Sequence, residues 1–234
     1  MLSTIAIIPS APVLVPELAG AAAGEVAELR AAMIAAVAAL PPRWVVVGVR
    51  TGDVADVADV VVGPESVGTF AGFGADLVVR LSPQATGPPA ELPLCALIAG
   101  WMRDQAQPDA RAEVRVYAAN HDGEAALTLG RQLRNEIDRL AEPAGVMVVA
   151  DGANTLTPAA PGGHHPNDVA VQRALDDALS CGDVAALPRL PRQVVGRVAF
   201  QVLAGLAEPV PRSAKELYRA APYGVGYFAG VWQL

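Results

Sequence analysis

Short apolar runs without polar alternation constrain this chain most. Residues 4–8 read TIAII, residues 44–49 WVVVGV and residues 146–150 VMVVA. A strand that is apolar at every position is covered on both faces. That is the signature of a parallel sheet packed between helices. Each run ends in a loop of proline, glycine or aspartate, and helical periodicity then takes over. Val26, Leu29, Met33, Val37 and Leu40 recur at three- and four-residue steps within residues 21–40. The same spacing predicts helices over residues 92–105, 124–140, 167–179 and 193–207, with a short one over 213–220. Further strands are expected over residues 76–81, 114–119 and 223–232. Residues 54–74, rich in Val, Gly and Asp, match neither template. Alternation of strand and helix gives an α/β class: a mostly parallel central sheet flanked by helices. No repeat or linker divides the chain, so a single domain over residues 1–234 is expected.

Hydrophobic residues make up 53% of the 234 positions, enough for a sizeable core. Charged residues make up only 18%, against about a quarter in a typical globular protein. The surface should therefore be rather apolar, and a homo-oligomer is expected to cover part of it. A net charge of −7, with Lys215 the lone lysine, argues against nucleic acid as a partner. Cys95 and Cys181 fit free thiols in a reducing compartment. The N-terminus lacks a basic n-region, and the Ala-rich run over residues 18–40 carries Glu25, Glu28 and Arg30, which are costly in lipid. A cytoplasmic protein without membrane contact is expected.

Ligands of open α/β sheets sit beyond the carboxyl ends of the strands. The loop that leaves residues 146–150 is the richest such place, since it holds Asp151, Asn154, His164, His165 and Asp168. His164 and His165 are neighbours whose side chains diverge on extended backbone. With Asp151 and Asp168 they suggest a His/carboxylate metal site. The plainer alternative has His165 packing on Pro166, with Asn167 or Asp168 capping the next helix. His121 leaves its own strand end, either to join the same crevice or to bond its neighbour Asp122. Asp53, Asp56 and Asp59 would make one acidic face if their segment were helical. No glycine pattern matches a dinucleotide or phosphate-loop fingerprint, and Gly224-Val225-Gly226 fits tight strand packing. Neither Ser10 nor Ser180 has nucleophile-elbow surroundings.

Several stretches carry a family resemblance: ALTLGRQLR at 126–134, VMVVADG at 146–152, the helix over 168–183 with its closing SCGD, and YGVGYFAGVW at 223–232. Together with PSAP at 9–12 after the first strand, this succession resembles the class III extradiol ring-cleavage dioxygenases, of the LigB catalytic-subunit type, and the related Memo proteins. The resemblance implies a LigB-like α/β fold. It also implies a non-haem Fe(II) held by two histidines and a glutamate, a further histidine as acid/base, and a catechol substrate opened by dioxygen. Carried over by position, the first ligand histidine falls at Ser10 or Ala11. The second falls near residues 50–53 and the acid/base near Asn154 or Thr155. None of these positions holds histidine. Only residues 164–168 retain a candidate ligand, where the resemblance places the carboxylate.

The expectation is therefore a LigB-like protein without the usual iron site. It would bind a small molecule or a partner in a strand-end crevice lined by Ser10, Thr51, Asp53, His121, Asp151, Asn154, His164 and His165. The alternative is a metal-dependent enzyme, an extradiol dioxygenase or a hydrolase. Its catalytic candidates are His121, Asp151 and Asn154, and its metal candidates His164, His165 and Asp168. The cofactor is accordingly either none or a divalent metal, iron or zinc. A purely structural subunit is the third reading.

Overall fold

The computed structural model describes residues 1–50 and 58–234. In chain order the elements are β1 (Leu2–Ile8), α1 (Pro16–Ala19), α2 (Ala27–Ala38), β2 (Arg43–Arg50), β3 (Val60–Val62), β4 (Val67–Thr69), β5 (Val78–Arg80), α3 (Leu94–Ala106), β6 (Arg111–Ala118), α4 (Gly123–Asp138), β7 (Ala144–Val149), α5 (Asp168–Cys181), α6 (Arg197–Ala207), β8 (Ser213–Ala220) and β9 (Tyr227–Gln233). Seven strands form one sheet in the order β3-β6-β2-β7-β1-β9-β8. The four central strands β6, β2, β7 and β1 run parallel. Strands β2, β7 and β1 carry the unbroken apolar runs of strands covered on both faces, whereas β6, RAEVRVYA, alternates apolar and charged residues. Strands β3, β9 and β8 pair antiparallel on the flanks.

Each face of the sheet carries its own core. Helices α2 and α3 cover one face, where Met33, Trp44, Phe70 and Met147 are buried. Helices α4, α5 and α6 cover the other, around Ile7, Val148, Phe200 and Trp232. Alternation along β9 serves both faces: Tyr227, Ala229 and Val231 join the first core, Phe228 and Trp232 the second.

Three expectations need correction. Residues 213–220 are not a helix but the edge strand β8, paired along its length with β9. Residues 76–81 do supply a strand, β5, but it pairs with β4 in a separate two-stranded sheet. The helix expected over residues 21–40 is split, because residues 20–24 wind as a 3-10 turn before α2 begins at Ala27.

Candidate functional site: a strand-end crevice

A crevice of about 550 Å³ opens at the carboxyl ends of the parallel strands. Val49 and Arg50 end β2, Val149 ends β7 with Ala150 and Asp151 just beyond it, and Ser10 follows β1. Pro93 and Leu94 bring the start of α3 to the wall, and Val195 and Gly196 bring the start of α6. Phe73 completes the lining and is otherwise exposed, at 44%. Ser10, Arg50 and Asp151 are the polar side chains of a mostly apolar wall.

Asp151 is the best-fixed of these. Its Oδ1 accepts the Ser10 N–H at 2.7 Å, and its carbonyl accepts the Gly196 N–H at 2.9 Å. The next two residues are held as firmly. Gly152 donates to the Gly226 carbonyl, Gly226 donates to the Ala153 carbonyl, and Ala153 donates to Gln172 Oε1 at 2.8 Å. The glycines at 152 and 226 are required by close approach, since a Cβ on either would stand 2.0 or 2.1 Å from the buried Gln172 amide. Tight packing thus explains Gly226 of the Tyr-Gly-Val-Gly stretch, while Gly224 sits at φ +71°, a left-handed conformation that favours glycine. Among the described residues the second oxygen of Asp151 has no protein donor. Burial pushes the carboxyl up to about 6, against the pull of the Ser10 N–H. The hydroxyl of nearby Tyr227 is also pushed up, by burial first and by Asp151 next.

His121 does not line this crevice. Its Nε2 lies 2.9 and 3.1 Å from the two oxygens of Asp59, which also accepts the Ala118 N–H at 2.8 Å. A carboxylate only accepts, so the bond to Asp59 requires a proton on Nε2. Arg197 reinforces the turn by donating to the carbonyls of Ala119 and His121. Asp122, the expected partner, instead caps α4 by accepting from Ala125 N–H. Asp59 itself lies outside any helix. The other two members of the expected acidic face, Asp53 and Asp56, lie outside the described residues.

Asn154, His164 and His165 stand away from the crevice wall as well. Both histidines are exposed, and the His165 N–H donates to the Thr155 carbonyl. Asp168 turns inward at the start of α5 and accepts from Thr155 Oγ1 at 2.6 Å. Asn167 precedes α5 but makes no side-chain cap bond. His164, His165 and Asp168 therefore do not present three donors to one point. Among the described residues no three His, Cys, Asp or Glu side chains lie close enough to hold a metal ion. Of the expected lining residues, Ser10 and Asp151 are in place, while Thr51 and Asp53 lie outside the described residues. Arg50, Phe73, Leu94 and Val195 are additions. The Arg50 position was visible as the end of an apolar run, but the apolar lining carried no chemical signal.

A larger cavity of about 640 Å³ lies at the opposite, amino-terminal end of the strands. There Arg43 pairs with Glu142, and Arg115 pairs with Glu113 and Glu136. Asp109 and Arg111 also line it, but most of its charges are satisfied by one another, which makes this cavity a weaker candidate than the strand-end crevice.

No family model matches the chain. A search of curated proteins finds no match either. Among solved structures, the crystal structure of an uncharacterized protein from Escherichia coli is similar, with 9% sequence identity and a TM-score of 0.55. The similarity covers 98% of this chain and 99% of that one, and it concerns the fold alone.

Proposed function

We propose that this chain is a LigB-like protein that binds a small molecule in the strand-end crevice and does not cleave aromatic rings. The observation that carries this reading is the crevice wall: apolar surface, one guanidinium and one firmly held carboxyl, with no imidazole among its described residues. Ring cleavage of the extradiol type needs Fe(II) gripped by imidazoles and a carboxylate, with a further base beside the catechol. The resemblance puts the first of those imidazoles at Ser10 or Ala11, neither of which can ligate as one. Asp151 and its fixed neighbours supply a preformed polar point in a concave apolar site, the general build of a ligand pocket. Among the described residues no helix is long and apolar enough to cross a membrane.

The test has two arms. Purified protein should hold well below one iron per chain and consume no oxygen with catechol. It should bind the neutral aromatic probe 2-phenylethanol, and Val195→Trp, which fills the crevice, should abolish that binding. Stoichiometric iron with catechol-dependent oxygen uptake overturns the reading.

A further inference from the structure

The crevice holds two opposite charges that do not meet. Arg50 ends β2, and Asp151 follows β7 and leans toward β1 through the Ser10 N–H. Strands β2 and β7 are direct neighbours, so Arg50 and Asp151 leave adjacent strand ends whose backbones are about 5 Å apart. Among the described residues no ion pair joins them, and neither has another ionic partner. Asp151 sits in the wall with one oxygen unspent, although burial works against its charge. Between and beside the two lie Val49, Phe73, Leu94 and Val195. An unpaired carboxylate in such a place is best offset by a cationic donor, and an unpaired guanidinium by a carboxylate.

We infer that the crevice takes an ampholyte, a small molecule whose ammonium group sits on Asp151, whose carboxylate sits on Arg50, and whose apolar body packs on Phe73, Leu94 and Val195. This rests on the small-molecule reading above and narrows it to one ligand class. A ligand carrying both charges satisfies both groups without drawing them together. One carrying a single charge leaves the other group without a partner, at the greater cost when that group is the buried Asp151 carboxylate.

Four probes with one phenethyl body separate the contributions. L-phenylalanine has both charges, 2-phenylethylamine the ammonium, 3-phenylpropanoate the carboxylate, and 2-phenylethanol neither. Calorimetric titration of the full chain near neutral pH should rank L-phenylalanine first, by about tenfold or more over either singly charged probe. Asp151→Asn should weaken L-phenylalanine and 2-phenylethylamine but leave 3-phenylpropanoate unchanged. Arg50→Gln should do the reverse. If all four probes bind alike and Val195→Trp removes them all, the crevice is a ligand site but not for an ampholyte, and the inference falls alone. If none binds, both readings fall. The ranking on unaltered protein and the exposed Arg50→Gln variant decide the matter even if Asp151→Asn does not fold.

Discussion

At the scale of single residues, Asp151 ties stability to the site. Its carboxyl is raised to about 6 in the folded protein, from 3.8 for a free side chain. A raised carboxyl binds its proton more tightly when folded. Its contribution to stability is therefore greatest at acid pH and is lost as pH rises through the window between those two values. Asp176, raised to about 6 by burial beside Gln172, acts in the same direction. Asp151→Asn should leave stability near pH 4 almost unchanged and raise it at neutral pH by roughly 1–3 kcal/mol. It should also flatten, though not abolish, the fall measured by urea unfolding across this range. An equal loss at every pH would show that the carboxylate is a structural anchor rather than a strained site group. Asp151 could be found from sequence because it ends an unbroken apolar run, and chain geometry puts such residues at the ligand end of the sheet. The histidines misled for a complementary reason. Imidazole is the most chemically suggestive side chain, but His164 and His165 ride on a proline- and glycine-rich loop that carries them into solvent. The partner of His121, Asp59, lies 62 positions away, and no local pattern announces a pair at that distance.

At the scale of elements, the α4–α6 contact depends on two glycines. A Cβ on Gly130 would stand 2.1 Å from the Val202 carbonyl oxygen, and one on Gly205 would stand 2.2 Å from that of Leu127. The neighbours met are backbone, which cannot rotate away as a side chain would. Gly130→Ala should therefore cost about 2 kcal/mol or more in chemical unfolding, despite the better helix propensity of alanine. A neutral or stabilising result would mean the helices can separate without loss. Gly130 sits inside ALTLGRQLR, but a lone glycine in a helical pattern does not mark the crossing, and its partner helix begins only at Arg197. Strand β8 went the other way. Its sequence, SAKELYRA, is rich in helix formers, and local preference alone reads it as a helix. Pairing with β9 overrides that preference by satisfying its backbone groups in a ladder, with an irregularity between Glu216 and Tyr218. Lys215, Glu216 and Arg219 then charge the outer edge, which discourages pairing with another chain.

At the scale of the whole molecule, the sheet joins two cores that share no helix. Trp44 reports on the α2–α3 face and Trp232 on the α4–α6 face, and each is almost fully buried. Trp232 Nε1 donates to the Leu179 carbonyl at 2.8 Å, whereas among the described residues Trp44 Nε1 has no acceptor. The two faces are not independent, because the central strands contribute alternate side chains to each: Val46 to one and Val45 and Val47 to the other, Met147 to one and Val146 and Val148 to the other. Losing either helix layer strips one side of the same four parallel strands and leaves apolar rows open to water. Stability held in common in this way should be lost in one step. Trp44→Phe, which removes an unpaired donor, should cost little beyond the lost packing, and combined with Trp101→Phe it leaves the second face to be followed through Trp232 alone. Trp232→Phe leaves the first face to be followed through Trp44 and Trp101, at the added cost of stranding the Leu179 carbonyl. Fluorescence and circular dichroism of each variant should give coincident unfolding midpoints. Fluorescence that leads or trails circular dichroism in only one of the variants would divide the chain into two units, against the single domain expected from a sequence without a linker.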